Sequence, residues 1–307
     1  MSKKVLVATV KPFAKAAVKK IEKIVIEQGY EFILLEKYEH LSELLKAVED
    51  VDALIVRSDK IGSEVLDAAK NLKIVVRAGA GYDNIDLKSA REHGVTVMNT
   101  PGQNSNAVAE LAFGMMVYIA RNCFNGKPGL ELKGKKLGMH AYGNVGKCVA
   151  KIAMGFGMEL FAFDPFIDRE VIEKDGVKSV ESVEELYSTC QYVSLHIPAN
   201  DKTKESINYK LLSKMPEGAT LVNTARKEII CEESLMKIFE ERDDFKYVSD
   251  VAPDCKDKIK DKYEERSFFT PKKMGAQTAE ANINAGAAAI TQIVNFFKNG
   301  DTTFKVN

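Results

Sequence analysis

The sequence predicts an α/β protein made of two doubly wound parallel-sheet domains. Two observations predict it. Short β-branched apolar runs alternate with helical-period segments almost from end to end, the pattern of parallel strands covered by helices. The alternation breaks once, near residues 99–106, and then restarts as a second series.

Residues 5–10 read as the first strand and 13–28 as the first helix, with Pro12 placed as a helix-starting proline. Strands follow at 32–35, 53–57, 74–77 and 95–98, interleaved with helices at 41–48, 63–70 and 86–92. A long apolar helix over 106–122 leads into a connection rich in Gly126, Pro128, Gly129 and Gly134. The second series reads as strands at 137–140, 160–163, 192–197, 220–223 and 247–250, with a helix at 147–156. An Ala-rich helix over 279–297 closes the pattern before Gly300.

Composition narrows the class. With 307 residues there is room for two ordinary domains and a substantial core. The 45% apolar and 29% charged fractions are those of a globular protein. Lys plus Arg and Asp plus Glu both number 44, and this zero balance argues against a nucleic-acid partner, which calls for a basic excess. Any anion site must therefore use a few local cations. Cys123, Cys148, Cys190, Cys231 and Cys255 are scattered without CxxC spacing, so neither a disulfide framework nor a metal site is expected. Reduced thiols point to a cytoplasmic location. The apolar run after Met1-Ser2-Lys3-Lys4 is short for a secretion signal, and no run has the length of a membrane span.

The first chemical motif is Ala141-Tyr142-Gly143-Asn144-Val145-Gly146, a GxGxxG with alanine in the first place. It lies between a strand and a helix, and Asp164 ends the next strand where a ribose-binding acid belongs. In that setting Gly143 lets backbone approach a pyrophosphate, Gly146 allows close helix packing, and the helix N-terminus offers N–H groups to the anion. Ala141 is tolerable if its φ stays negative. Asp164 accepts from ribose hydroxyls and repels a 2′-phosphate, favouring NAD over NADP. The simpler reading is that these glycines only make the turn of a doubly wound sheet.

Further segments carry a family resemblance. They are Val56-Arg57-Ser58, the run Val76-Arg77-Ala78-Gly79-Ala80-Gly81-Tyr82-Asp83-Asn84-Ile85-Asp86, and Val97-Met98-Asn99-Thr100-Pro101 followed by Asn104. His196-Ile197-Pro198 with Thr203, Asn223-Thr224-Ala225-Arg226 and Asp250 complete the set. Over essentially its whole length the chain resembles the D-2-hydroxyacid dehydrogenases, and among them the phosphoglycerate dehydrogenase branch. The resemblance implies a flavodoxin-like substrate domain of residues 1–98 plus 283–307, and an NAD-binding Rossmann domain of 99–282. It implies a homodimer through the long helix after Asn106. It also implies a short form lacking the regulatory domain of longer members, and with it their serine feedback.

The resemblance assigns the cofactor to Gly143, Asn144, Val145, Gly146, Asp164 and Pro165, to His196, Pro198 and Thr203, and to Thr224, Ala225, Asp250 and Gly275. His196 is read as structural, and Asp250 as touching the carboxamide edge of the nicotinamide. Backbone at Gly79, Ala80 and Gly81, with Ser58 and Asn104, implies a carboxylate cradle. Arg226 fills the family's substrate-orienting place, where a planar fork suits a carboxylate and the neighbouring 2-oxygen.

One departure stands out. The family's proton carrier is a His held by a Glu, but Lys273 occupies the His position and Cys255 the Glu position. His40, His93, His140 and His196 all lie elsewhere. The paired loss is coherent, since a lysine needs no carboxylate to set a tautomer, and it resembles a lysine-using subgroup. Lys273 is the expected acid–base, with Lys272 as its local rival. Arg226 and the positive nicotinamide ring would disfavour its ammonium form.

Arg57 and Arg77 match positions that bind substrate phosphate in that branch, so 3-phosphoglycerate is the expected substrate. Either arginine could instead make a strand-end ion pair. The alternatives are another D-2-hydroxyacid dehydrogenase or glyoxylate/hydroxypyruvate reductase, and a non-catalytic NAD-binding regulator of the same fold.

Overall fold

In the opening strand, β1 (Lys4–Thr9), Val5 and Val7 face one buried layer while Leu6 and Ala8 face another. Burial on both faces explains why the run shows no polar alternation. The computed structural model describes residues 2–307 and resolves two units, Met1–Asn104 with Gln277–Asn307, and Ser105–Ala276.

In the first unit β1 is followed by α1 (Lys15–Glu27), β2 (Glu31–Glu36), α2 (Leu41–Val48), β3 (Ala53–Val56), α3 (Ser63–Ala68), β4 (Ile74–Arg77), α4 (Leu87–Glu92) and β5 (Thr96–Asn99). The five strands are all parallel, in the order β2-β1-β3-β4-β5, the flavodoxin-like arrangement. Pro12 does not start α1. That helix begins at Lys15 after Ala14, and the Pro12 carbonyl instead accepts a hydrogen bond from Arg57 Nη1 at 3.0 Å.

The second unit begins with α5 (Ser105–Ala120) and runs through β6 (Lys136–His140), α6 (Asn144–Gly155), β7 (Glu159–Phe163), α7 (Arg169–Lys174), β8 (Lys178–Ser179), α8 (Val183–Thr189) and β9 (Tyr192–Leu195). It continues with α9 (Tyr209–Leu212), β10 (Thr220–Asn223), α10 (Glu232–Glu241), β11 (Lys246–Ser249), α11 (Lys256–Tyr263) and β12 (Ser267–Phe269). Its seven strands are parallel in the order β12-β11-β10-β9-β6-β7-β8. That is the Rossmann order, with its switch point between β6 and β9. Leu137, Met139, Val222 and Val248 pack with α5 and α6 on one face, and Val193, Leu195, Leu221 and Tyr247 line the other.

The chain returns to the first unit with α12 (Ala279–Asn299). Thr278 caps it by accepting from Ala281 N at 3.1 Å, and Gly300 ends it at φ 68°. Gly286 lets α12 press on α1, since a Cβ there would sit 3.0 Å from Ile21 Cδ1.

The unit boundaries differ from the expected 98/99 and 282/283. The turn after β5 stays with the first sheet because Asn99 Nδ2 bonds the Ala80 carbonyl and Thr100 N–H bonds that of Gly79. A cut at 282/283 would also sever the first turn of α12. Leu54 of β3 is fully buried. Leu54→Ala should therefore cost the first unit about 2–5 kcal/mol, read as a lower urea midpoint at unchanged m-value.

Candidate active site

In the second unit β6 ends at His140 and the chain must turn sharply to start α6. Ala141 makes that turn at φ 81°, in the left-handed region, so the expectation of a negative φ there is corrected. The reason is local. Ala141 N–H bonds the Phe163 carbonyl at 2.9 Å, and its own carbonyl faces Gly146 so closely that a Cβ there would lie 2.5 Å from it. A left-handed alanine costs about 1–2 kcal/mol, a strain the surrounding packing holds in place. Tyr142 is fully buried, with its hydroxyl 3.1 Å from Asp175 Oδ2.

Several features of this turn fit a dinucleotide. A Cβ on Gly143 would meet nothing within 4 Å, so open space lies over the N-terminus of α6. The N–H groups of that first turn have no intrahelical acceptors. Asp164 stands at the end of β7, accepting from Tyr142 N–H at 2.8 Å and Phe166 N–H at 2.9 Å. Each carboxylate oxygen keeps a further lone pair for a hydroxyl donor. Pro165 is exposed beside it, as is the ring of Phe166 at 90% exposure. Thr224 Oγ1 and His196 Nε2 are buried without a partner. Thr203 Oγ1 donates to the Pro198 carbonyl at 2.6 Å and so fixes the turn after His196.

At the ends of β10 and β11 two buried polar groups organise two further turns. Asn223 accepts from Ala225 N–H at 3.0 Å and donates to the Arg226 carbonyl at 2.9 Å, shaping the turn that presents Arg226. Asp250, 1% exposed, accepts from Thr270 Oγ1 at 2.8 Å, Met274 N–H at 2.6 Å and Gly275 N–H at 2.8 Å. Gly275 has little room, because a Cβ would sit 3.1 Å from Asp250 Oδ2 and 3.2 Å from Val108 Cγ2. The two turns converge at one atom. The Ala225 carbonyl accepts from Arg226 Nη1 at 2.9 Å and from Lys273 Nζ at 3.3 Å.

The first unit carries the remaining residues after β3 and β4, with Asn104 in the connection after β5. Arg57 Nη1 donates to the carbonyls of Lys11 at 3.3 Å and Pro12 at 3.0 Å, with its guanidinium 5.2 Å from the Phe13 ring centre. Arg77 Nε donates to the Arg57 carbonyl at 2.9 Å. Its guanidinium crosses Gly79 so tightly that a Cβ there would land on Nη1. Glycine at 79 is thus what lets Arg77 fold back beside Arg57. Ser58 and Ala80 are exposed, and Gly81 and Asn104 are half-buried.

A family model described as "D-isomer specific 2-hydroxyacid dehydrogenase, catalytic domain" matches residues 5–307. The chain belongs to that family. This dehydrogenase is 41% identical over 213 residues to a hydroxypyruvate reductase of Thermotoga maritima, covering 64% of this chain and 68% of that one. It is 35% identical over 265 residues to a D-3-phosphoglycerate dehydrogenase of Methanocaldococcus jannaschii, covering 82% of this chain and 51% of that one. It spans about half the length of such relatives. The crystal structure of an NAD+-bound 3-phosphoglycerate dehydrogenase in Entamoeba histolytica superposes with a TM-score of 0.90 at 48% identity, covering 100% of this chain and 99% of that one.

Sequence reasoning missed the residues that hold the dehydrogenase's turns. Asn99 and Asn223 stand in the family motifs without a role of their own, although Val97-Met98-Asn99-Thr100 and Leu221-Val222-Asn223-Thr224 repeat one signal, a polar residue ending an apolar strand. His140 was missed as well. It ends β6 at the switch point, 8% exposed, and its carbonyl accepts from His196 N–H at 2.9 Å. Burial lowers His140 to about 4, against the pull of Asp164. Burial, and then neighbouring His140, lowers His196 to about 3.

Both imidazoles are therefore neutral in the folded protein, while in the unfolded chain they gain protons below about 6.5. Their contribution to stability is complete above that pH and drains as pH falls toward 4, by about 1.4 kcal/mol per pH unit for each histidine. The urea midpoint should fall between pH 6.5 and 5, and His140→Asn should flatten that slope. An equal slope in both proteins would contradict the assignment.

Proposed function

We propose that this dehydrogenase oxidises 3-phospho-D-glycerate to 3-phosphohydroxypyruvate, with NAD as cofactor and Lys273 as the group that moves the hydroxyl proton. The observation that carries the reading is the meeting of Lys273 Nζ and Arg226 Nη1 at the Ala225 carbonyl. A proton carrier beside a substrate-orienting guanidinium is what oxidation of a 2-hydroxyacid requires. Both rival lysines are exposed, and Lys273 is the one that reaches this carbonyl.

NAD, when bound, supplies the hydride acceptor. Gly143 and the first turn of α6 would hold its pyrophosphate, and Asp164 its ribose hydroxyls. His196, Pro198, Thr203, Thr224, Ala225 and Gly275 frame the same half of the site, with Asp250 toward the carboxamide edge of the nicotinamide. Arg226 donates to the substrate carboxylate and 2-oxygen. Lys273, in its neutral form, takes the 2-hydroxyl proton as the C2 hydride departs, and in reduction its ammonium returns a proton to that oxygen.

The cradle at Gly79, Ala80 and Gly81, with Ser58 and Asn104, fits the substrate carboxylate. Arg57 and Arg77, tied through the Arg57 carbonyl, fit its phosphate. The resemblance to phosphoglycerate dehydrogenases supports that choice. The α5 face is proposed in addition as the contact of a homodimer. A second reading has support of its own, since the 41% identity to a hydroxypyruvate reductase favours reduction of a non-phosphorylated ketoacid.

A substrate panel separates the two. The wild type should prefer 3-phosphoglycerate to D-glycerate. Arg57→Ala should raise KM for the phosphorylated acid by roughly tenfold or more, the worth of one charge-assisted hydrogen bond, while leaving D-glycerate little changed. Equal use of both acids by wild type, with hydroxypyruvate reduced faster than its phosphorylated form, would install the second reading.

A further inference from the structure

Gln292 is out of keeping with the face of α12 that it occupies. On that face Ala285, Ala289, Ile290 and Ile293 join Val76 and Met98 of β4 and β5 in one apolar cluster. Gln292 is 8% exposed, its Nε2 donates to the Asn99 carbonyl at 3.0 Å, and its Oε1 is buried without a partner. A half-satisfied amide is costly to bury. Filling of space therefore does not explain it, since an apolar side chain of the same length would do that as well.

The one bond it makes leads to the carboxylate cradle. Asn99 ends β5, and its Nδ2 donates to the Ala80 carbonyl at 2.6 Å. The next N–H, of Thr100, donates to the Gly79 carbonyl at 2.9 Å. A peptide unit is planar and trans, so its C=O and N–H point opposite ways. Drawing the Gly79 and Ala80 carbonyls toward residues 99 and 100 therefore turns the N–H groups of Ala80 and Gly81 the other way, as a pair of donors.

We infer that Gln292 is a positioning residue for the substrate carboxylate: through the Asn99 carbonyl it holds the end of β5, which in turn holds the 79–81 turn with its N–H groups set as a cradle. This rests on the proposed reading of that cradle and deepens it. Every residue in the chain of contacts belongs to the first unit. A cradle grips the carboxylate equally before and during hydride transfer, so loosening it should raise KM and spare kcat.

The test is Gln292→Met in the full chain. KM and kcat are measured on 3-phosphoglycerate and D-glycerate, NAD affinity by calorimetry, stability by the urea midpoint, and amide exchange over residues 79–81. The change removes the unmet Oε1 and frees the Asn99 carbonyl, so one unmet acceptor replaces another and the midpoint should hardly move. KM should rise by a common factor for both acids, roughly five- to tenfold, the worth of one neutral hydrogen bond. Turnover and NAD affinity should stay within about twofold of wild type, with faster exchange confined to the 79–81 turn. The common factor sets this variant apart from Arg57→Ala, which strikes the phosphorylated acid alone.

An unchanged KM would overturn the inference. So would a KM rise that comes with a lower midpoint and faster exchange across the whole first sheet, which is loss of packing. If the wild type prefers a non-phosphorylated acid, the phosphate reading fails while the role of Gln292 stands, because that acid carries the same carboxylate. If no hydroxyacid is turned over, exchange decides: faster exchange at 79–81 alone supports the role, and unchanged exchange removes it. Should Gln292→Met fold poorly, Gln292→Leu removes the same donor with a shorter side chain and is read the same way.

Discussion

The working surface of the second unit depends on the polar groups that end its central strands. Parallel strands deliver their last residues to one edge of the sheet, where backbone leaves the ladder and would otherwise be loose. Asn223 and Asp250 sit side by side at that edge, both excluded from solvent, and each spends its side chain on the turn that follows or faces it. Burying an amide and a carboxylate is costly unless their hydrogen bonds are made. Since they are made to two particular turns, the same groups that are expensive to bury also dictate where Arg226 and Lys273 emerge. Lys227 adds a tie across this edge by pairing with Asp254 at 2.6 Å, although an exposed pair of this kind contributes little energy.

The switch point between β6 and β9 shows the same economy under more strain. Ala141 is held in a left-handed conformation that glycine would adopt freely, and its carbonyl uses the space that Gly146 leaves by lacking a side chain. His140 and His196 lie beside the turn as neutral imidazoles, so the region carries its polarity without net charge. In the first unit the corresponding device is Gly79, whose missing Cβ is replaced in space by the guanidinium of Arg77. In both units the glycines matter less for flexibility than for what occupies their vacated volume.

Much of this was legible in the sequence. The strands read at 5–10 and 220–223 are rich in apolar and β-branched residues, buried on both faces except at exposed Val10, and bounded by turns, so period and composition marked them. The βα turn at 141–146 and the Arg226 and Lys273 positions were visible as motifs. The short helices α7, α10 and α11 were not placed, because each offers a single narrow buried stripe among charged residues, as with Ile172 in α7 and Ile259 in α11. Pro12 misled because its role is tertiary, as an acceptor for Arg57. The sign of φ at Ala141 and the work of Asp250 were hidden for one reason: both follow from where another segment's carbonyl or N–H arrives, and local pattern carries no such information.

The proposed chemistry turns on Lys273 as the proton carrier of an NAD-linked oxidation. The most direct test is the pH dependence of NAD-coupled oxidation of 3-phosphoglycerate by the wild type and Lys273→Met. Wild-type kcat/KM should keep rising above neutral pH, as a lysine that must lose its proton requires, and the variant should lose kcat across the range. A wild-type profile already flat above neutrality, or a variant that turns over like wild type, would contradict it.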